Sequence, residues 1–147
     1  MTIEEVKTYL LQVRNLNRKI QLKKQQLNEL NLQKFSIGSQ DCSSPSVKSS
    51  PSGDAIPRMI AKITDLQEEI NADVDRLIDL KAEIMHKIDL IQDANQQSVL
   101  YDRYLQMKTI QQIADESFCC TRTVKRLHKA ALQSLGGILD SINRLSP

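Results

Sequence analysis

Apolar residues recur at alternating spacings of three and four along two long stretches of the sequence. This spacing places them on one stripe of an α-helix that packs lengthwise against a second helix. The first stripe consists of Ile3, Val6, Leu10, Val13, Leu16, Ile20, Leu27 and Leu30. The second consists of Ile56, Met59, Ile63, Leu66, Ile70, Leu77, Leu80, Ile84 and Ile91. The spacing therefore predicts two long helices, over residues 2–35 and 55–92, and neither is expected to be stable without a partner.

The composition supports an all-α fold. The 147 residues include no Trp, two Phe, three Tyr and only four Gly. Strands favour aromatic and β-branched residues, whereas this balance is typical of long helices and coiled coils. No apolar run approaches the roughly 18 residues that span a bilayer, and the acidic start of the chain is unlike an export signal. We therefore expect an all-α cytoplasmic protein that does not contact a membrane.

A serine-rich segment, residues 36–54, separates the two long helices. Eight of its nineteen residues are Ser and two are Pro. Such a composition buries too little apolar surface to order itself, so a flexible link is expected. Basic residues outnumber acidic ones by seven to three over residues 1–35, whereas acidic residues outnumber basic ones by nine to five over residues 55–96. The sequence therefore predicts that residues 1–92 form an antiparallel coiled-coil hairpin.

A dimer built from the same apolar stripes is an alternative that the sequence leaves open. A second, narrower stripe consists of Leu11, Leu22, Ile78 and Ile88. Two polar residues, Asn17 and Lys24, fall within the first main stripe, where such residues often fix the register of paired helices. For Lys24 the alternative is a side chain that extends its ammonium group to solvent. These features predict a homo-oligomer that assembles through the coiled coil, and they do not give the number of copies.

The rest of the chain, residues 93–147, has shorter apolar repeats. They predict three helices, over residues 95–106, 110–116 and 121–135. Thr109 and Gln112 have the spacing of a capping box, in which each side chain bonds the backbone N–H of the other residue. A tight connection at residues 117–119 joins the last two helices at the spacing of a helix-turn-helix. We therefore predict a three-helix helix-turn-helix domain after the long hairpin.

The outward face of the last predicted helix is basic. The residues on this face are Thr121, Arg122, Lys125, Arg126 and Lys129. In a helix-turn-helix the start of this helix enters the major groove, where Arg reads guanine edges and Lys more often meets phosphate. We therefore assign Thr121, Arg122 and Lys125 to base edges. Arg126 and Lys129 are assigned to phosphates.

Arg103 has two interpretations. Its guanidinium either reaches the DNA backbone or forms an ion pair with Asp102 or Asp115. The basic helix also has a plainer interpretation, because charged residues on surface helices are usually just solvated. Spacing alone therefore leaves room for a helix that binds an acidic protein partner instead of DNA.

Four short motifs lie between Val99 and Leu135. They are RYL at 103–105, IA at 113–114, TV at 123–124 and RLHKAAL at 126–132. Because of these motifs, residues 99–135 resemble region 4 of sigma-70-type factors. The sequence INADVDRLIDLK at 70–81 and the serine-rich link extend this resemblance to the whole chain. The chain is similar to small phage and prophage proteins of low-GC Gram-positive bacteria. Those proteins are grouped with late transcription regulators of the ArpU/RinA type, which implies double-stranded DNA as a partner and admits contact with RNA polymerase.

Two residues depart from the family that the chain resembles. Members of that family usually have Gly in the turn where this chain has Phe118, and Ser as N-cap where it has Cys120. Gly adopts positive φ without strain, whereas Phe at such a position costs about 1 kcal/mol or more. Cys is a poorer N-cap than Ser by about 1 kcal/mol. The sequence therefore predicts either a rearranged turn or a less stable domain.

Residues with catalytic or ligating chemistry form no recognisable pattern. The sequence has no phosphate-binding loop or catalytic triad, and its three Cys lack metal-ligand spacing. We therefore expect no enzyme activity, no cofactor and no bound metal. Cys119 is expected to pack as a small apolar residue and Cys120 to take the cap position, with a redox switch as the alternative. His128 is expected to contact either phosphate or a neighbouring helix.

These features together predict a sequence-specific DNA-binding transcriptional regulator of phage or prophage origin, acting in the bacterial cytoplasm as a dimer or larger homo-oligomer. Two alternatives stay open. The first is a DNA-packaging recognition protein like a small terminase subunit, which also joins a helix-turn-helix to helical oligomerisation parts. The second is a protein-interaction adaptor that does not bind DNA.

Overall fold

The computed structural model of the chain describes residues 1–39 and 55–146, with the side chains of residues 1–35 and 55–146. Its helices are α1 (Ile3–Ser39), α2 (Ala55–Asp89), α3 (Ala94–Leu100), α4 (Ile110–Glu116) and α5 (Thr121–Leu145). No strand occurs in these residues, so the all-α prediction, with long helices followed by short ones, is confirmed. α1 continues past its predicted end at residue 35. The rest of the predicted link, residues 40–54, lies outside the described residues.

Two compact units divide the chain. The large unit consists of Met1–Leu16 and Leu77–Pro147, and the small unit consists of Asn17–Arg76. The large unit therefore contains the first turns of α1 and the last turns of α2 together with all the shorter helices. Among the described residues, none of the helices has both the length and the apolar content that a membrane crossing requires. The antiparallel coiled coil over residues 1–92 stays a prediction.

The large unit has an apolar core that follows the predicted stripes. From the long helices, the core includes Val6, Leu10, Val13, Leu77, Ile84 and Ile88, and from the segment after α2 it includes Ile91. From the shorter helices, it includes Val99, Leu100, Ile113, Val124, Leu132, Leu135 and Leu139. Ile88 was expected on a second, outward stripe, and that expectation is wrong. Its side chain is buried because this end of α2 is covered by further helices of the same unit, so more than one face of α2 becomes core.

α5 is longer than the sequence predicted, because it runs through Gly136 and Gly137 to Leu145. Consecutive glycines usually weaken a helix, yet here both lie within α5, beyond its predicted end at residue 135. Gly136 is buried, and a Cβ atom on it would lie 3.3 Å from Cγ2 of Val6 and 3.4 Å from the Met1 carbonyl oxygen. The absent side chain thus lets the start of α1 approach α5 closely. The N-terminal ammonium group also pairs with Asp140, one turn further along α5.

The small unit buries few apolar side chains. Ile20, Ile63 and Ile70 are buried in it, whereas Ile56, predicted to begin the second stripe, is 48% exposed. Ile56 lies in the first turn of α2, where helices commonly fray and burial by a partner is incomplete. The small unit therefore depends on a narrow apolar contact.

A buried carboxylate interrupts this contact. Asp73 is 4% exposed, and its Oδ2 lies 2.6 Å from Nζ of Lys23, which also pairs with Glu69 at 3.4 Å. The sequence placed Lys24 in the stripe, but Lys24 is exposed and the adjacent Lys23 has that role. The hydrogen bond lowers the pKa of Asp73 and raises the pKa of Lys23, because each charged form stabilises the other.

The helix predicted over residues 95–106 has a different form in its second half. α3 ends at Leu100 and is followed by one π-helical turn, Tyr101–Leu105, in which the Gln106 N–H donates to the Tyr101 carbonyl. Met107 then has a φ of 58°, which ends the helical path. The widened turn places both Tyr104 and Leu105 in the core. A single π-helical turn within a helix often marks a functional or packing constraint.

Candidate nucleic-acid interface

α4 begins with the predicted capping box. The Gln112 N–H donates to the Thr109 hydroxyl at 3.1 Å, and the Thr109 N–H donates to Oε1 of the Gln112 side chain at 2.9 Å. Both bonds satisfy N–H groups that have no partner within the helix. The prediction of this cap and of a helix over 110–116 is therefore confirmed. The start of α4 is therefore determined by two residues that are three positions apart in the sequence.

The turn after α4 has the geometry that the family pattern implies. The Cys119 N–H donates to the Ala114 carbonyl at 3.0 Å, which is the bond of a Schellman motif closing a helix C-terminus. Phe118 lies between them with a φ of 55°, the left-handed conformation that Gly usually supplies. The Phe118 side chain is 97% exposed. The turn is therefore not rearranged, and Phe118 carries the backbone strain that the sequence predicted for such a turn.

A small apolar cluster fixes how α4 packs on α5. The cluster consists of Ile113, Ala114 and Val124, which are each 1% exposed. The partly buried side chain of Ile110 packs against it. The small side chain of Ala114 allows the two helices to cross closely, and Val124 fills the space above it. These contacts orient the first turns of α5. They also place the apolar sides of both helices inward.

Cys120 occupies the N-cap position of α5, as predicted, with extended backbone angles. Its Sγ makes no capping hydrogen bond to the backbone and lies instead 3.1 Å from Oγ1 of Thr123. The Thr123 hydroxyl lowers the pKa of Cys120, and the backbone N–H groups at the start of the helix add to this effect. The cap position is therefore occupied by a thiol whose ionised form is stabilised.

The expected burial of Cys119 is wrong. Its side chain is exposed, and its thiol donates to the Ser117 carbonyl at 3.3 Å. The left-handed conformation of Phe118 turns the chain so that residues 117–120 all lie at the surface. The turn therefore presents two adjacent, exposed thiols directly before α5.

The predicted basic face of α5 is accessible. Four of its side chains are exposed, namely Arg122, Lys125, Arg126 and Lys129, and Thr121 is half-buried. In the part of the chain that the structure describes, none of these four cations forms an ion pair. The inner side of the same helix is covered, because Val124, Ala131 and Leu132 are buried. α5 therefore presents a row of positive charges that form no ion pair within residues 1–35 and 55–146.

Thr123 belongs to this face and was not assigned a role from the sequence. It is exposed in the first turn of α5, three residues before Arg126 and one after Arg122. The signal was available, because residues three apart on a helix lie on one side. The start of the exposed face thus consists of Cys120, Arg122 and Thr123.

His128 lies on the packed side of α5. Its Nε2 is 2.8 Å from the hydroxyl oxygen of Tyr104, and the two rings are stacked with centroids 5.6 Å apart. Burial lowers the pKa of His128, and the positive charges of Arg103 and Lys7 add to this effect. Of its two expected roles, the structure shows the contact with a neighbouring element, the π-helical turn. Tyr104 in turn has a pKa raised by burial.

Arg103 and Lys108 connect the π-helical turn to α4. Nη1 of Arg103 donates to the Lys108 carbonyl at 2.9 Å, and Nζ of Lys108 lies 2.6 Å from Glu116 and 3.6 Å from Asp102. The hydrogen bond that Lys108 donates to the Glu116 carboxylate is the main cause that raises the pKa of Lys108. Asp102 thus pairs with Lys108. Arg103 is half-buried, whereas the other charged residues of the predicted interface are exposed. Its proposed contact with DNA stays a prediction.

Comparison with known protein families matches residues 93–135 to sigma-70, region 4. The matched segment contains α3, the π-helical turn, α4 and the basic part of α5. A search of curated proteins and a search of solved structures each gave no significant match. Residues 93–135 are therefore similar to a DNA-binding helix-turn-helix domain, and not to a catalytic one. This places the segment in the sigma-70 region 4-like class of helix-turn-helix, and such a domain is consistent with a transcription regulator.

Proposed function

We propose that the protein is a sequence-specific DNA-binding transcriptional regulator that docks the N-terminal half of α5 in the major groove. The observation that carries this proposal is the accessible row of four cations on α5, none paired with an acid among the described residues. Surface cations in a folded domain often pair with nearby acids, as Lys108 does on the same domain. Duplex DNA supplies the missing anions, and its phosphates contribute much of the binding free energy.

The position of each side chain along α5 suggests its role. Thr121 and Arg122 lie in the first turn, and Lys125 follows one turn later, so these three reach base edges first. Arg126 and Lys129 lie further along and to the side, where phosphates flank the groove. The fork of Arg122 can bond O6 and N7 of one guanine, which is the commonest specific contact in the major groove. We propose that Arg103 contacts the DNA backbone at the edge of the interface.

The long helices have a proposed role in assembly. Leu22 in the small unit is 55% exposed and Ile78 in the large unit is 59% exposed, so each unit has an apolar side chain of the second stripe available to another protein. We propose that such exposed apolar side chains of the long helices mediate homo-oligomerisation and that the assembled regulator acts in the cytoplasm of a bacterial cell. Phage or prophage origin and a contact with RNA polymerase rest on the family resemblance. We further propose that α1 and α2 pair as an antiparallel coiled-coil hairpin.

Arg122→Ala tests the proposed base contact. A binding site is first selected from random duplexes with the full chain, and affinity is then measured for every single-base variant of that site. We expect the substitution to weaken specific binding by about 1–3 kcal/mol and to relax preference at one position. Arg144→Ala is the matched control, because Arg144 is an exposed arginine near the other end of the same helix. Equal loss of affinity on all sequences would mean that Arg122 contacts phosphate, and no selected site at all would refute the proposal.

A further inference from the structure

Two thiols stand side by side at the start of the proposed DNA-reading helix. Both Cys119 and Cys120 are exposed, so both are accessible to reagents from solution. The expected burial of Cys119 would have left one accessible thiol, whereas the structure presents a vicinal pair. A pair of exposed nucleophiles next to an interface is a candidate site of covalent modification.

The two thiols differ in their hydrogen bonds. The Cys119 thiol donates a hydrogen bond to the Ser117 carbonyl, which is a backbone acceptor. The Cys120 sulfur lies beside the Thr123 hydroxyl, which can donate to a thiolate, and it stands at the positive end of the α5 dipole. Because the thiolate is the nucleophile in thiol chemistry, Cys120 is the more reactive of the two.

The adjacency of the pair limits what its oxidation can produce. Consecutive Cα atoms are about 3.8 Å apart, which is shorter than the roughly 4.4–6.8 Å that a protein disulfide normally spans. Closing a disulfide between Cys119 and Cys120 would therefore distort the turn and the cap of α5. An adduct formed on one of these thiols is consequently not displaced easily by the other.

We propose that Cys120 is a site of reversible modification by small-molecule disulfides, and that the adduct blocks the DNA-binding face of α5. The Cys120 thiolate attacks one sulfur of the small disulfide, so a new sulfur–sulfur bond forms and the original one breaks. The Cys120 sulfur is oxidised, and the other half of the small disulfide is reduced and leaves as a thiolate, which takes a proton from water. The attached group then lies within one turn of Arg122 and Thr123, where it occupies the space of a base edge. The blocking effect rests on the proposed function, whereas the reactivity does not.

The site is tested by mass spectrometry on the full chain. Cys42→Ser provides the background, so that only the vicinal pair can react, and the probe is glutathione disulfide. We expect one adduct, formed about tenfold faster in the Cys119→Ser variant than in the Cys120→Ser variant. Ser is a good N-cap, so Cys120→Ser is expected to fold, and circular dichroism checks that it does. Equal rates in the two variants, or faster reaction of Cys119, would overturn the assignment to Cys120.

The effect on DNA is tested separately with a duplex carrying the selected site. Modified protein is expected to bind at least about tenfold more weakly than reduced protein, because a bulky anionic group replaces contacts to the groove. Dithiothreitol should restore binding, and glutathione disulfide should leave the Cys120→Ser variant unaffected. An adduct on Cys120 with undiminished duplex binding would contradict the blocking effect. If reduced protein also fails to bind any duplex, the proposed function fails, and the mass measurement still decides whether Cys120 is the reactive site.

Discussion

The large and small units use the same apolar repeat with different results. In the large unit, Val6, Leu10 and Val13 of α1 are fully buried. In the small unit, Leu27 and Leu30 continue that repeat and are only half-buried, and an ion pair between Lys23 and Asp73 lies among the apolar contacts. The spacing of apolar residues thus defines which face of a helix is turned inward, whereas the number of neighbouring helices determines how completely that face is buried.

This difference bears on what stabilises each unit. Apolar burial contributes roughly 25 cal/mol per Å² of area removed from water, so the large unit is expected to dominate the free energy of unfolding. The small unit buries fewer apolar side chains and places a charge pair in its contact, and such pairs contribute more to the specificity of pairing than to stability. The proposed DNA-binding helix, α5, lies in the large unit, where a stable core can hold its exposed face in place.

Leu132→Ala should have the largest effect on stability. Leu132 is 1% exposed on the inner side of α5, so its truncation leaves a cavity in the core of the large unit. We expect the free energy of unfolding to fall by about 2–5 kcal/mol in urea titrations followed by circular dichroism. Leu32→Ala in the small unit is the control, because Leu32 is 59% exposed and its loss should cost less than about 0.5 kcal/mol. Equal losses for both variants would remove the distinction between the units.

Phe118→Gly should stabilise the large unit. Phe118 has a φ of 55° and an exposed side chain, so Gly would relieve the strain without removing a buried contact. We expect the free energy of unfolding to rise by about 1 kcal/mol in the same titrations. Phe118→Ala is the matched control, since Ala keeps the Cβ atom that causes the strain and should give little gain. A loss of stability with Gly would show that the Phe118 side chain makes a contact that outweighs its backbone strain.

Asp73→Asn should have the smallest effect and should be confined to the small unit. The pKa of Asp73 is lowered by the hydrogen bond with Lys23, so folding is favoured while Asp73 is ionised and Lys23 is charged. This contribution is present above the ordinary pKa of Asp and is lost as the pH falls through the lowered pKa of the folded state. We expect the variant to speed amide hydrogen exchange in residues 17–35 and 55–76 at neutral pH and to abolish the additional acid sensitivity there. Asp75→Asn, two residues away and exposed, should change neither property, and uniform faster exchange in both units would contradict the proposed local role.

Much of the candidate interface could be predicted from the sequence because its determinants are local. The capping box at Thr109 and Gln112 and the positive φ at Phe118 depend on residues a few positions apart. The exposure of Arg122 and Lys129 follows from helical periodicity once the buried position of Val124 is known. These features needed no knowledge of distant parts of the chain.

The features that the sequence did not predict depend on distant contacts. α5 continues through Gly136 because the start of α1 packs against it, a contact between residues more than a hundred positions apart. Ile88 is buried because short helices that follow it in sequence cover α2. The π-helical turn likewise has no local signal, and it places Tyr104 against His128. Sequence periodicity gives one inward face to a helix and cannot indicate where a second face is covered as well.

The salt dependence of duplex binding tests the central claim most directly. The claim is that Arg122, Lys125, Arg126 and Lys129 meet DNA, and it is tested by changing all four to Gln in the full chain. Each phosphate contact contributes about 0.9 to the slope of log affinity against log salt concentration. If the claim is correct, the fourfold variant keeps its circular dichroism spectrum, and its slope is smaller by roughly 2–4 than that of the unchanged chain. A fourfold variant that binds duplex DNA with the same slope and affinity as the unchanged chain would contradict the account.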